Sequence, residues 1–297
     1  MHDGVLNIYK QVGFSSNDVV RIVRRLAGSK AGHTGTLDPG ACGVLPICLG
    51  RATKIADYIV AGEKEYIAEV ILGSATDTQD SHGKIVAKSP KRVTEAEIAA
   101  VLPHFTGNLM QIPPMYSALK IKGKKLYEYA REGVEIERKA REIGIFGIEP
   151  LLWKSEAEPQ SFVIRVNCTK GTYIRTLCAD IGEALGTFAH MGRLLRSRSG
   201  NFAVADSLSI AALESFAAGG RIGEVLRPIE AVLGHMPKIR INREGHKALI
   251  NGNKVDLEFV ENPEDLSNSP MLTYSHENRL VGIFHIVGNF LRPKTML

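Results

Sequence analysis

One carboxylate stands out by its local sequence. Asp38 lies within GHTGTLDPG (residues 32–40), a segment dense in glycine and ended by proline. Glycine allows close backbone approach, and proline fixes its own φ and biases the preceding residue towards extended geometry. A carboxylate held between Leu37 and Pro39 is presented to a partner, as a nucleophile must be. An isolated Asp-Pro-Gly would indicate only an ordinary turn.

The longer string around Asp38, AGHTGTLDPGACGVLPICLGRATK, resembles the catalytic motif of the TruB family of bacterial tRNA pseudouridine-55 synthases. Three further segments match in the family's order: KEYIAEVIL (64–72), MYSALKIKGKKLYEYAREG (115–133) and TKGTYIRTL (169–177). The resemblance implies that Asp38 is the essential catalytic residue. It also implies that the protein converts uridine 55, in the T arm of tRNA, to pseudouridine.

That reaction breaks the C–N glycosidic bond, turns the uracil and rejoins it to the ribose through carbon. Because atoms are only rearranged, the resemblance implies no metal and no cofactor. Asp38 would add to the base, attack the anomeric carbon of the ribose, or assist a glycal route by removing a proton. The sequence leaves these three routes open.

Two further residues are implied to complete the catalytic group. Burial raises the pKa of an aspartate, and Arg175 matches the family arginine that pairs with the catalytic carboxylate and keeps it ionised. An enzyme that acts on a base in folded RNA flips the base out and stacks it. Tyr66 matches the family's stacking tyrosine and is a candidate for removing the C5 proton, although a free phenol has a pKa of about 10 and needs help as a base. Without the resemblance, Arg175 would be a surface helix residue and Tyr66 a strand residue facing the core.

The resemblance also implies residues that contact the substrate. Tyr173 and Leu194 match positions that line the uracil pocket, and His33 matches a residue that inserts into or stacks within the RNA loop. Lys10 matches a lysine near the site. Gln11 stands where the family usually has proline, which loosens the turn that would present Lys10.

Two clusters of basic side chains accompany these motifs. Residues 117–141 contain eight Lys and Arg against four Asp and Glu, and residues 165–198 contain six against two. The net charge of +5 alone does not establish a nucleic-acid partner, but two such clusters favour a polyanion. Segment 106–141 lacks clean periodicity and resembles the family segment that closes over RNA. We expect a long mobile arm there, with phosphate contacts from Lys122, Lys124 and Lys125.

The elements that must position these residues include strands and helices without regular alternation. Strand 64–72 would carry Tyr66 and pair with a strand at 84–88, and a helix from Thr172 to Leu185 would carry Arg175. We therefore predict an α+β fold with a mixed, mainly antiparallel sheet flanked by helices. Further predictions are strands at 5–9, 44–49, 143–149, 162–168 and 201–205, a helix after Ser15, and helices at 94–105, 207–217 and 223–233.

The chain length predicts two domains, since 297 residues is long for a single core. We expect residues 1–234 to form the catalytic domain. Residues 235–297 contain short predicted strands, including a hairpin at 270–291, and Gly/Asn turns. They resemble a PUA domain, a small β-barrel that binds RNA.

Several classes of protein are disfavoured. No apolar run approaches the length of a transmembrane helix, and the N-terminus lacks the features of a signal peptide. The four cysteines form no CxxC pair, which favours reduced thiols over metal ligands. We expect a cytoplasmic monomer whose partner is tRNA, with no metal and no membrane association.

Other functions remain as alternatives. A guide-RNA-dependent pseudouridine synthase shares the Asp loop and the PUA module, but the intact arm at 106–141 favours a stand-alone enzyme. A non-catalytic RNA chaperone would not require a carboxylate paired with Arg175. A phosphoryl hydrolase would usually show an acidic metal partner near Asp38, and a glycoside hydrolase would need a second carboxylate.

Overall fold

The computed structural model describes residues 2–121 and 123–297. Most strands belong to two sheets, of nine and five strands. In chain order the strands are β1 (Gly4–Lys10), β2 (Ala31–His33), β3 (Ala41–Leu49), β4 (Lys64–Leu72), β5 (Ser74–Thr76), β6 (Ile85–Lys88), β7 (Gly107–Gln111), β8 (Lys120–Ile121), β9 (Lys124–Lys125), β10 (Arg141–Lys154), β11 (Ser161–Cys168), β12 (Ala189–Ser199), β13 (Phe202–Ala203), β14 (Lys238–Arg240), β15 (Val255–Asp256), β16 (Met271–Tyr274), β17 (Leu280–Val287) and β18 (Phe290–Met296).

The helices are short and pack against the sheets. The α-helices are α1 (Ser16–Ala27), α2 (Ala56–Val60), α3 (Glu95–Val101), α4 (Leu126–Arg131), α5 (Ile174–Ala184), α6 (Ile210–Ala218), α7 (Ile229–Val232) and α8 (His246–Ile250). Helices of the 3₁₀ type cover Gly50–Ile55, Leu102–Phe105, Val204–Asp206, Ile222–Val225, Leu257–Phe259 and Pro263–Asp265.

The nine-stranded sheet has the order β1-β3-β12-β4-β11-β10-β7, with β2 beside β3 and β13 beside β12. Its strand pairs are antiparallel except for β12 and β3. This confirms the predicted mixed, mainly antiparallel sheet. The sequence of β4 explains its central place, because alternation buries Ala68, Val70 and Leu72 on one face.

Helix α1 begins where the sequence predicts. Ser15 is the N-cap and forms a capping box with Asp18, and Gly28 ends the helix in a left-handed conformation with φ 58°. Val19 and Val23 belong to a buried cluster shared with β1 and β3. The predicted capping box that opens α3, between Thr94 and Glu97, is also present.

Helix α5 lies on the sheet over β4, β11 and β12. Its Leu177, Cys178 and Ile181 share a buried cluster with Ala68 of β4 and Val166 of β11. This packing fixes the first turn of α5, where Arg175 lies, above the middle of the sheet.

The five-stranded sheet has the order β14-β16-β17-β18-β15 and forms the PUA-like module that the sequence predicts. It has its own buried cluster, which includes Ile239 and Phe284. Another cluster crosses between the sheets, since Val5 of β1 packs together with Leu272 and Ile283.

One strand pairing is predicted wrongly. Residues 85–88 form β6, but β6 pairs with β5 rather than with β4. Both edges of β4 are occupied, by β11 and by β12, so that no edge is free for β6.

Strand β12, which lies between β3 and β4 and carries Leu194, is not predicted from the sequence. Segment 106–141 also contains more regular structure than its periodicity indicates. Its first part is β7, which pairs with β10 at the edge of the large sheet. Strands β8 and β9, which pair with each other, and helix α4 follow.

Candidate active site

The loop that carries Asp38 connects β2 to β3 and is fixed by its neighbours. The Leu37 N–H donates to Ser16 Oγ at 2.8 Å, and the Ser16 hydroxyl lies 3.0 Å from the Leu37 carbonyl oxygen. The Gly13 N–H donates to the Pro39 carbonyl at 2.8 Å. Both residues that flank Asp38 are therefore held, and the carboxylate projects from a fixed turn.

Lys10 holds the same loop from inside the protein. Its side chain is fully buried, and its ammonium donates to the carbonyls of Ala41 at 2.6 Å and Phe14 at 2.7 Å, with those of Gln11 and Pro39 at 3.1 and 3.5 Å. Burial lowers the pKa of Lys10 to about 8. The family resemblance implies a substrate-binding role for Lys10, whereas the structure places its ammonium beneath the loop among backbone carbonyls.

Arg175 connects three segments at the site. It is 7% exposed, and its Nε lies 3.0 Å from Asp38 Oδ2. Nη1 donates to the Thr78 carbonyl at 3.2 Å and Nη2 to the Tyr116 carbonyl at 2.7 Å. A second carboxylate, Asp80, lies 3.8 Å from Nη1. The guanidinium is thus oriented by backbone acceptors while its Nε faces Asp38.

The charge state of Asp38 reflects opposing effects. Burial raises the pKa of Asp38 above its ordinary value, and the nearby Asp80 carboxylate acts in the same direction. The positive charges of Arg175, Lys10 and His82 lower the Asp38 pKa but do not fully cancel the effect of burial. The carboxyl therefore titrates above the range of a free aspartate, although 41% of its side chain opens to the cavity.

Asp38 borders two adjoining cavities, of about 310 and 860 Å³. The smaller cavity is also lined by Tyr66, Tyr173, Arg175 and Leu194. The structure therefore brings five of the sequence-predicted residues to one cavity, from four separate parts of the chain. Such a cavity suits a flat base, because aromatic and apolar walls surround a few polar groups.

His33 lies at the end of β2 and lines the larger cavity. Its Nδ1 lies 3.3 Å from the Gly35 N–H. Burial and, to a lesser extent, the positive charge of Arg196 lower the pKa of His33, so its ring is neutral near pH 7. A neutral imidazole suits stacking on a base better than phosphate binding.

The predicted lysines of the arm lie in different surroundings. Lys125 lines the larger cavity, with its ammonium 5.3 Å from the ring centre of Tyr127. Lys124 pairs with a glutamate of the arm and lies 4.7 Å from the ring centre of Tyr129. Lys122 lies outside the described residues.

Several residues at the site were not found from the sequence. Asp80 and His82 lie in the polar connection between β5 and β6, with His82 Nδ1 3.7 Å from Asp80 Oδ1. Lys64 and Arg196, both buried, line the smaller cavity. The polar run TDTQDSH (76–82) is the one local signal for the first pair, and it also fits an ordinary surface loop.

Two features are absent from residues 2–121 and 123–297, a membrane-spanning helix and a cluster of metal ligands. No helix there is long and apolar enough to span a membrane. The same residues contain no group of three or more His, Cys, Asp or Glu side chains arranged to hold a metal ion.

Comparison with known proteins gives matches along nearly the whole chain. A model described as the TruB family pseudouridylate synthase N-terminal domain matches residues 23–174, and one described as the tRNA pseudouridylate synthase B C-terminal domain matches residues 175–234. A protein named tRNA pseudouridine synthase B from Geobacillus thermodenitrificans (strain NG80-2) is 48% identical over 255 residues, which cover 84% of each chain.

A second protein of that name, from Azoarcus sp. (strain BH72), is 42% identical over 296 residues, or 99% of this chain and 95% of its own length. Among solved structures, a chain in one described as a Cbf5-Nop10-Gar1 complex is 26% identical with a TM-score of 0.73. That match covers 99% of this chain and 84% of the other. The similarity therefore includes the segments that supply Asp38, Tyr66 and Arg175.

Proposed function

Because the chain belongs to the TruB family of pseudouridylate synthases, we propose that it isomerises uridine 55 in the T arm of tRNA to pseudouridine. The observation that carries the proposal is the Asp38–Arg175 pair on a cavity walled by Tyr66 and Leu194. The names of the relatives supply tRNA as the substrate.

Asp38 is the catalytic carboxylate in this proposal. It acts at the glycosidic bond by adding to the base, by attacking the anomeric carbon, or by removing a proton on a glycal route. In each route the C–N bond breaks, the uracil turns, and a bond forms between the ribose and C5 of the uracil. Arg175 keeps the carboxylate ionised while base and ribose displace water from it.

The smaller cavity receives the uracil after the nucleotide is flipped out of the T loop. Tyr66 stacks on the base, and Tyr173 and Leu194 close the remaining walls. His33, which lines the larger cavity, contacts the T loop from which the nucleotide has been flipped.

Positive charge on the arm holds the rest of the tRNA. Lys122, Lys124 and Lys125 of the arm at 106–141 contact phosphates, which gives affinity without reading sequence. Residues 1–234 form the catalytic domain, and residues 235–297 form the PUA-like domain that extends the RNA-binding surface. In this proposal the protein is a cytoplasmic monomer and requires no metal.

The proposal is tested with an unmodified tRNA transcript that carries tritium at C5 of its uridines. Pseudouridine formation releases that tritium to water, and Asp38→Asn should abolish release. Asp57→Asn is the matched control, since Asp57 lies on α2 and lines neither of the two cavities. A second transcript with cytidine at position 55 should release no tritium.

Protein and transcript are mixed alone, so release excludes a requirement for a guide RNA. Release that persists in the cytidine-55 transcript would overturn the T-arm assignment. Equal binding by wild type and Asp38→Asn with no release by either would overturn the isomerase and favour an RNA chaperone.

A further inference from the structure

Arg196 is a buried cation with an unusual set of partners. It is 1% exposed, and its Nε donates to the Val44 carbonyl at 2.7 Å and its Nη2 to the Gly35 carbonyl at 3.2 Å. Within the described residues Arg196 forms no ion pair: Asp38 and Glu63 pair with Arg175 and Arg198, and Glu65 accepts from the Ser197 hydroxyl. A buried charge without a counter-ion is destabilising, so its retention calls for a functional reason.

The strand pairing shows which side chain flanks Arg196. On β4 its register partner is Tyr66, and directly opposed residues of antiparallel strands place their side chains on the same face, about 5 Å apart. On β3 its partner is Gly43, which offers no side chain. A Cβ at Gly43 would lie 2.2 Å from the Arg196 carbonyl oxygen, so the glycine is what lets β3 approach this closely.

We propose that Arg196 is a positioning residue for Tyr66: its guanidinium, fixed by the carbonyls of β3 and of the Asp38 loop, aligns the Tyr66 phenol in the cavity and stabilises its anionic form. This inference rests on the proposed function, in which Tyr66 faces the uracil. The Arg196 guanidinium supplies the help that an ordinary phenol needs to accept a proton. The hydrogen bond from Arg196 to the Gly35 carbonyl also connects the guanidinium to the loop that carries Asp38.

The charges around Tyr66 agree with this assignment. Burial raises the pKa of the Tyr66 hydroxyl, and Cys168 on β11 and Asp38 across the cavity act in the same direction. Arg196 opposes them and is the leading influence that lowers the Tyr66 pKa. Replacing Arg196 by a neutral residue should therefore raise the pKa of Tyr66 further.

The step that Arg196 supports is the last proton transfer. Tyr66 first loses its phenolic proton to water. Once C5 is bonded to the ribose, the phenolate oxygen takes the C5 proton, and the electron pair of the C5–H bond restores the C5=C6 double bond. This transfer regenerates the phenol, whose new proton exchanges with water. N1 of the uracil, which has lost its bond to the ribose, takes up one proton from water, and nothing is oxidised or reduced.

The first test needs no RNA. Tyr66 is replaced by 3,5-difluorotyrosine, whose phenol ionises at lower pH, and its ionisation is followed by ¹⁹F NMR in wild type, Arg196→Met and Arg196→Lys. We expect the pKa at position 66 to rise by about one unit or more in Arg196→Met, and by less in Arg196→Lys, which keeps the charge. The control is Arg227→Met, which removes an arginine that also donates to a backbone carbonyl but pairs with Asp206 away from both cavities.

The second test measures single-turnover tritium release. Arg196→Met should slow release roughly 10- to 100-fold, and difluorotyrosine at position 66 should restore part of that loss. In a Tyr66→Phe background, Arg196→Met should add no further loss, because both changes remove the same function. Thermal unfolding of each variant identifies any that fail to fold, in which case Arg196→Lys carries the comparison.

The outcomes separate the two proposals. An unchanged pKa at position 66, or losses from Arg196→Met and Tyr66→Phe that multiply, would overturn the role of Arg196. If wild type releases no tritium, the isomerase proposal fails, and the ¹⁹F titration still decides whether Arg196 sets the charge state of Tyr66.

Discussion

The two walls of the smaller cavity use buried arginines in different ways. On the Asp38 wall, Arg175 faces two carboxylates and takes its remaining orientation from backbone carbonyls. On the Tyr66 wall, Arg196 is held by backbone carbonyls alone among the described residues. The first arrangement places positive charge beside Asp38, which lowers the pKa of its carboxyl against the effect of burial. The second leaves positive charge available to the phenol beside it.

Removal of the paired arginine should have the largest effect. Arg175→Met leaves Asp38 beside Asp80 without the intervening cation, so the Asp38 pKa rises further and transition-state stabilisation is lost. We expect tritium release to fall roughly 10³-fold, equivalent to about 4 kcal/mol. Because Asp38 must be ionised, the loss should be greater at pH 6 than at pH 8.

Single-turnover rates at the two pH values measure this effect, with Arg227→Met as the control. A deficit of the same size at pH 6 and pH 8 would show that Arg175 does not act through the charge of Asp38.

The next change acts on the other wall. Gly43→Ala introduces a Cβ 2.2 Å from the Arg196 carbonyl, at a residue whose φ is 109°. Forcing β3 away from β12 should destabilise the protein by about 3 kcal/mol in urea unfolding. Gly147→Ala in β10 is the matched control, because a Cβ there meets no atom within 4 Å. Equal stability of the two variants would show that Arg196 does not depend on the close approach of β3.

Lys10 is a further buried cation held by backbone carbonyls, as Arg196 is. Its pKa is about 8 in the folded protein against 10.5 ordinarily. Between these values the unfolded chain binds more protons than the folded one, so stability rises with pH through the window. The wild type should gain about 3 kcal/mol relative to Lys10→Met between pH 8 and 10.5.

Urea unfolding of wild type and Lys10→Met at several pH values measures this gain. Below pH 8 the stability difference between the two proteins should stay constant. A constant difference up to pH 10.5 would mean that the Lys10 ammonium keeps its proton throughout.

The parts of this protein that the sequence predicts are those that depend on nearby residues. The cap at Ser15, the alternation of β4 and the turn at Asp38 are each encoded within about ten residues. The placement of Tyr66 on a strand and of Arg175 on a helix is then predicted with the elements that carry them. Their meeting at one cavity is expected from the family resemblance, not from local pattern.

Strand β12 shows why the rest is not predictable. Its sequence AHMGRLLRSRS carries three arginines, and two irregularities in its pairing with β4 interrupt the alternation. Arg196 would be taken as exposed, since the carbonyls that satisfy it belong to Gly35 and Val44, which are distant in the chain. The role of Asp80 is also not predictable from the sequence, because only the completed fold brings its polar loop to Arg175.

The buried cluster that joins the two sheets has a consequence for the order of folding. Val5 of β1 shares a buried cluster with Leu272 and Ile283, which come much later in the chain. Contacts so far apart in sequence form late, since a long loop must close before they can stabilise anything. The cluster around β1 is therefore complete only after Leu272 and Ile283 have folded onto it, and the nascent chain is more prone to aggregate until they have done so.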